Sequence, residues 1–299
     1  MSIVIAGTVA LDSIKTPKGT VKQALGGSAT YSAISASYFA PVNLVGIVGS
    51  DFPDDYINIL KRKKVDITGL TIDPGKTFHW QGEYGQDFSD AKTLATDLNS
   101  LLNFNPVLPQ NYRNLKYLFL ANVDPKIQLD VLKQMKSPKL TVCDTMNFWI
   151  NNKPKDLFRL LKKIDCFLLN YSEAKLLVDK PTVREIGKAI LKLGPKIVII
   201  KKGEHGAILF TKEFIFSLPG YLIENITDPT GAGDTFAGGF IGYLTKVNKI
   251  NKTTLKRAVV YANAMATFAV ADFSVNKLSK INSAVIQARF NQYAKLVNF

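Results

Sequence analysis

The run Asp228-Pro229-Thr230-Gly231-Ala232-Gly233-Asp234-Thr235-Phe236-Ala237-Gly238-Gly239-Phe240 joins a glycine-rich turn to an apolar helix that continues to about Leu244. Gly231 and Gly233 let the backbone turn tightly and leave no Cβ to hold an anion at a distance. The free N–H groups at the helix start, with the positive end of its dipole, make a site for phosphate or a developing oxyanion. Asp234 falls in the first turn, where the same field favours its carboxylate form. There it is placed as a general base for a hydroxyl beside the anion, and the combination describes phosphoryl transfer to an alcohol. A capped helix also begins with Asp or Thr. A cap, however, does not require the full pattern Asp-x-Thr-Gly-Ala-Gly-Asp. The chain has no Gly-x4-Gly-Lys-Ser/Thr phosphate loop and no Gly-x-Gly-x-x-Gly after its first strand, so the run is not a variant of either.

Outward from this run, short apolar stretches alternate with helical periodicities. Strands are expected over residues 3–6, 42–48, 117–121, 140–143, 166–169, 197–200 and 207–210. Several carry apolar residues on both faces, as buried parallel strands do. Helices are expected over 28–39, 54–64, 127–136, 155–163, 172–178 and 183–193, and the chain beyond Gly233 reads as helical through 253–271 and 279–297. This rhythm predicts an α/β fold, a mostly parallel central sheet with helices on both faces. Residues 71–94 break it: Phe78, His79, Trp80, Tyr84 and Phe88 stand among Gly, Gln, Asp and Thr without helical period. With residues 11–25 they are expected to form a few extended strands outside the main sheet. Those strands are either an exposed edge or a lid over a ligand. No repeat or Pro-rich linker divides residues 1–299 into separate domains.

Composition narrows the function classes. The 299 residues are 46% hydrophobic and 21% charged, the balance of a globular protein with a sizeable core. No apolar run reaches the length of a membrane-spanning helix, and the first residues lack a signal peptide's pattern. Cys143 and Cys166 are too few for a disulfide framework, so a reducing cytoplasm is expected. The formal net charge of +14 raises the question of nucleic acid. The basic residues are mostly scattered lysines, with one cluster, Lys61-Arg62-Lys63-Lys64, ending a predicted helix where cations complement the dipole. The charge is read as a solvated surface, with no nucleic-acid or membrane partner expected and polyanion binding as the distant alternative.

The run Asp228–Asp234, taken with motifs elsewhere in the chain, resembles that of the ribokinase-like, or PfkB-type, carbohydrate kinases. Asp228–Asp234 looks like the family's C-terminal signature, and Gly26-Gly27-Ser28-Ala29-Thr30-Tyr31-Ser32-Ala33 is similar to its N-terminal diglycine motif. Asn170-Tyr171-Ser172-Glu173 matches Asn-x-x-Glu, and Ile199-Ile200-Lys201-Lys202-Gly203 resembles the strand and turn that hold nucleotide phosphates. The resemblance implies a ribokinase-like fold with a small β lid from about 11–25 and 71–94. It implies ATP and Mg2+, a sugar or nucleoside acceptor, and pairing into a homodimer through the lid. Asp234 would be the base, and the amides of Gly231, Ala232 and Gly233 the anion hole. Asn170 and Glu173 would organise magnesium–ATP largely through water. Lys201 and Gly203 would meet phosphate, Asn263 would lie near adenine, and Asp228 with the Thr230 carbonyl matches a potassium site of some members. Asp12, Gly26 and Gly27 fall on the acceptor side. Two departures bear on the acceptor. Tyr31 stands where the diglycine motif usually carries an Asn, and a phenol cannot copy an amide's paired donor and acceptor. Asp144-Thr145-Met146-Asn147 is near the family's Asp-x-Asn without matching it, leaving Asp144 and Asn147 as acceptor-side candidates with Trp80. The expected activity is phosphorylation of a hydroxymethyl group on a sugar-like molecule, with a nucleoside kinase of the same family as the alternative.

Overall fold

In the computed structural model, which describes residues 1–88 and 91–297, two sheets share the chain. In chain order the strands are β1 (Ile3–Ala6), β2 (Ala10–Thr16), β3 (Gly19–Gly26), β4 (Val42–Gly49), β5 (Val65–Asp73), β6 (His79–Glu83) and β7 (Lys92–Asp97). They continue as β8 (Tyr117–Leu120), β9 (Leu140–Cys143), β10 (Cys166–Asn170), β11 (Ile197–Lys201), β12 (Ala207–Phe210) and β13 (Ile215–Leu218). The helices are α1 (Ser28–Ser37), α2 (Asp54–Arg62), α3 (Pro125–Gln134), α4 (Asn147–Asn152), α5 (Pro154–Leu161), α6 (Tyr171–Leu177), α7 (Val183–Leu191), α8 (Ala232–Val247), α9 (Lys252–Ala269) and α10 (Ser283–Val297).

The main sheet runs β13-β12-β11-β10-β9-β8-β1-β4-β5. It is parallel except for β12, which runs antiparallel to both β11 and β13 at one edge. Alternation along each strand divides the core in two. Ile3 and Ile5 of β1, Phe119 of β8 and Ile199 of β11 face a cluster completed by α1, α8 and α9. Val4, Leu118, Phe167 and Val198 face the other way, onto Leu129, Leu157, Leu160, Ile186 and Ile190 of α3, α5 and α7. Burial of both faces is why these strands read as continuous apolar runs. No helix is long and apolar enough to cross a membrane among the described residues.

The second sheet runs β3-β2-β6-β7, with β2 antiparallel to β3 and parallel to β6. Three hydrogen bonds pin it to the segments before α8 and after α9. The Thr16 hydroxyl donates to the Thr227 carbonyl at 2.9 Å, Thr230 donates to the Tyr84 hydroxyl at 3.0 Å, and Ser274 donates to the Leu25 carbonyl at 2.5 Å. Residues 71–73, which the sequence groups with the extra strands, belong instead to β5 at the main sheet's edge, parallel to β4. The edge position explains why β5 was not foreseen: Val65-Asp66-Ile67-Thr68-Gly69 has polar residues that a central strand would not tolerate. Residues 89 and 90 of the expected 71–94 stretch, and 298–299 at the chain end, lie outside the described residues. The expected helix 279–297 begins later, at Ser283, after a 3-10 turn at Leu278–Lys280.

Candidate active site

Strand carboxyl ends place most of the polar side chains. Asp144 follows β9, Asn170 ends β10 and Lys201 ends β11, so all three project at one rim of the parallel sheet. In open α/β sheets this rim is where ligands bind. Helix α8 is brought to the same rim by close packing on α1. A Cβ on Gly238 would lie 2.3 Å from the Ser32 carbonyl oxygen, and the Ser35 hydroxyl donates to the Thr235 carbonyl at 2.7 Å.

The turn before α8 is as tight as the sequence suggests, but the Ala232 N–H, expected in the anion hole, donates to the Pro229 carbonyl at 3.2 Å. Gly231 is the N-cap and has φ 74°, a left-handed conformation in which a side chain is strained. Any Cβ there would also come within 2.5 Å of the Tyr31 ring, which lies against the turn. Asp234 stands in the first turn of α8, with no side chain capping the helix. Burial pushes the Asp234 carboxyl up to about 7; Asp144 adds to the rise and the Lys201 charge opposes it. A carboxyl that exchanges its proton near neutrality suits a general base.

Lys201 and Asp144 form an ion pair of 2.7 Å, with side chains 15% and 4% exposed. A Cβ on Gly233 would sit 3.1 Å from Lys201 Nζ, so the ammonium lies at the start of α8. Burial alone would lower the Lys201 pKa, but the charges of Asp144, Glu173 and Asp234 outweigh it and raise the value. Asn170 and Glu173 close a capping box on α6. The Glu173 N–H donates to Asn170 Oδ1 at 2.8 Å, and the Asn170 N–H donates to Glu173 Oε2 at 2.7 Å. The second Glu173 carboxylate oxygen has no hydrogen-bond partner among the described residues. Burial raises the Glu173 pKa, with Lys201 acting against it.

On the acceptor side, Asp12 is buried on β2, next to Gly26: a Cβ on Gly26 would fall 1.9 Å from its Oδ2. Gly27 has φ 94° and leads directly into α1. Burial lifts Asp12 to about 7; a hydrogen bond from Gly27 works against this, and the charges of Asp228 and Asp234 add to it. The Tyr31 hydroxyl is fully buried and has no hydrogen-bond partner among the described residues. Burial raises its pKa well above the usual phenol range, and Asp12, Asp228 and Asp234 add to the rise. Asp228 is 0% exposed, and its two oxygens accept the backbone N–H groups of Thr230 and Ser274 at 2.9 and 3.4 Å.

The structure thus gathers Asp12, Tyr31, Asp144, Glu173, Lys201, Asp228 and Asp234 around the Gly231–Gly233 turn. Other residues singled out from sequence make local contacts or are exposed. Asn147 is exposed and its side chain accepts from the Phe148 N–H. Asn263 donates to the Val259 carbonyl within α9. Trp80 is the register neighbour of Asp12, but its indole donates to Thr93 and lies over Gly82. Gly203 opens an exposed 3-10 turn with φ 57°. Sequence reasoning assigned Asp144 to the acceptor and Lys201 to the nucleotide, and did not foresee that they pair. Nor did it foresee the Thr16, Tyr84 and Ser274 anchors of the second sheet. Among the described residues no three His, Cys, Asp or Glu side chains gather as a metal-ligand set.

The pfkB family of carbohydrate kinases matches the chain over residues 3–281. A cytidine kinase of Thermococcus kodakarensis is 31% identical over 249 residues, covering 81% of this chain and 88% of the relative. An ATP-dependent 6-phosphofructokinase of Thermoanaerobacterium thermosaccharolyticum is 25% identical over 283 residues, covering 84% of each. Among solved structures, the nucleoside kinase of Burkholderia thailandensis in complex with ADP-inosine superposes with a TM-score of 0.79 at 17% identity, covering 97% of this chain and 95% of that one. The aminoimidazole riboside kinase of Salmonella enterica, complexed with aminoimidazole riboside and an ATP analogue, gives 0.78 at 17% identity, with 97% and 100% covered. These two structures establish a shared ribokinase-like fold.

Proposed function

The chain belongs to the pfkB family of carbohydrate kinases, and from that premise we propose that it transfers the terminal phosphoryl group of ATP to a hydroxymethyl group of a sugar or sugar-like molecule. The observation that carries this reading is Asp234 in the first turn of α8, beside the left-handed Gly231 and within the field of Lys201. The acceptor oxygen attacks the terminal phosphorus, the bond from that phosphorus to the bridging oxygen breaks, and ADP leaves. Asp234 takes the hydroxyl proton. The N–H groups of Gly231 and Gly233 and the Lys201 ammonium meet the charge that develops on the phosphoryl oxygens, while the Ala232 N–H is held by the Pro229 carbonyl. Asp12 and Tyr31 face the acceptor side, and the second sheet serves as a lid that excludes water.

The donor set fits a hydrated magnesium ion: one carboxylate, Glu173, keeps an oxygen free of the capping box, and Asn170 adjoins it. Such an ion is bound through few protein ligands, water and substrate phosphates, and when bound supplies charge neutralisation to the polyphosphate. Both Asp228 oxygens already accept backbone N–H groups, so a potassium ion there would have to share them.

A nucleoside acceptor is the second reading, favoured by the cytidine kinase relative that matches most of the chain. The test is a panel of ribose, fructose and myo-inositol against cytidine, uridine, adenosine, inosine and guanosine, with ADP release and product mass as readouts. Turnover on free sugars supports the first reading, and turnover confined to nucleosides replaces it with the second. No turnover on any acceptor, together with RNA binding that weakens steeply with salt, would point to a polyanion-binding protein instead.

A further inference from the structure

The position of Lys201 opposes the local field. Its Nζ lies where a Cβ on Gly233 would be only 3.1 Å away, at the start of α8. The positive end of a helix dipole repels a cation, so α8 does not attract it there. The ion pair with Asp144, 2.7 Å long and largely buried, holds it in place. A buried pair is a poor source of stability, because desolvation offsets most of the Coulomb attraction. Its geometry makes sense once an anion arrives. An ammonium beside the N–H groups of Gly231 and Gly233, with the Ala232 N–H turned to the Pro229 carbonyl at 3.2 Å, adds a point charge to a helix start suited to phosphate.

We propose that Asp144 is a positioning residue that aims the Lys201 ammonium at the Gly231–Gly233 turn, where Lys201 touches the terminal phosphoryl group of the nucleotide. This rests on the kinase reading above. Three carboxylates face Lys201: Asp144 after β9, Glu173 on α6 and Asp234 on α8. Asp12, on β2, faces Asp234 from the second sheet. With Asp144 neutralised, the ammonium loses its 2.7 Å partner and its place is left to the competing pulls of Glu173 on α6 and Asp234 on α8. Asp144 therefore acts through Lys201 and makes no contact with the nucleotide itself.

The test uses calorimetric affinities of the full chain, with Mg2+ present, for ADP and for the non-hydrolysable ATP analogue AMPPNP. Lys201→Met is expected to weaken AMPPNP by about 10–100-fold, the worth of one charge-assisted hydrogen bond, with ADP within about 3-fold. Asp144→Asn is expected to weaken AMPPNP about 10-fold in the wild-type background but less than about 2-fold in the Lys201→Met background, as coupled residues behave. Equal losses in both backgrounds, tighter AMPPNP binding by Asp144→Asn, or an ADP loss as large as the AMPPNP loss would each overturn the proposal. ADP affinity also reports whether each variant is folded. Should Asp144→Asn fail to fold, Lys201→Arg keeps the ion pair but replaces a compact point donor with a planar fork. It is then expected to weaken AMPPNP about 10-fold with ADP unchanged, and unaltered AMPPNP affinity overturns the proposal. A wild-type protein that binds neither nucleotide overturns the kinase reading and this inference together, whereas binding that ignores Lys201 overturns the inference alone.

Discussion

Replacing Asp12 by Asn isolates what the site costs the fold. Asp12 is buried on β2, and burial lifts its carboxyl from an ordinary 3.8 to about 7, with Asp228 and Asp234 adding to the rise. A rise of that size corresponds to about 4 kcal/mol of penalty on the charged form, roughly halved once local relaxation and water entry are allowed for. The folded-state value lies above the unfolded one, so stability is fully present below about pH 4 and is lost as pH rises through about 7. Asn has nearly the same shape and never ionises, and its oxygen can still accept the Gly27 N–H. The variant should therefore match the wild type near pH 4. At pH 8 it should exceed it by about 2 kcal/mol, or about 5 °C in Tm. Thermal unfolding followed by circular dichroism at several pH values between 4 and 8 measures the difference. A gain that is the same at every pH, or a loss at pH 8, would refute the reasoning. The same variant should bind the acceptor more weakly, as expected where a strained charge serves function.

Two further outcomes follow from the site's geometry. Gly231→Ala must hold a left-handed φ of 74° and push the Tyr31 ring from 2.5 Å to ordinary contact. It should lose about 2–4 kcal/mol in urea unfolding, and a loss under about 1 kcal/mol would contradict the account. With Asp234 as the base and its free-enzyme carboxyl at about 7, kcat/KM should fall about tenfold per pH unit in the acid range below that value. A kcat/KM that stays flat from pH 8 to pH 5 would show that the base is another group.

Much of the fold could be read from the chain because its strands are buried on both faces. Residues 3–6, 140–143 and 207–210 coincide with β1, β9 and β12, since continuous apolar runs of that length have few alternatives. Exposed edges gave less signal. The polar β5 escaped notice, as did the short β13, whose Ile215 is partly exposed. The left-handed turn at Gly231 and the place of Asp234 in the first turn of α8 were legible because they fall within one local segment. Long-range pairing was not. Asp144 and Lys201 are 57 residues apart, and their contact depends on β10 lying between β9 and β11. Asn147 and Asn263 show the converse, since a side chain near a motif can turn to its own helix backbone and satisfy itself there.

The central claim is that Asp234 accepts the proton of the attacking hydroxyl. Asp234→Asn keeps the shape of the side chain and removes its basicity, so single-turnover transfer from ATP to the best acceptor of the panel is the most direct measurement. The account predicts that the rate falls by about 10³-fold or more while ADP and AMPPNP affinities stay within about 3-fold of wild type. Transfer by Asp234→Asn within tenfold of the wild-type rate would contradict it.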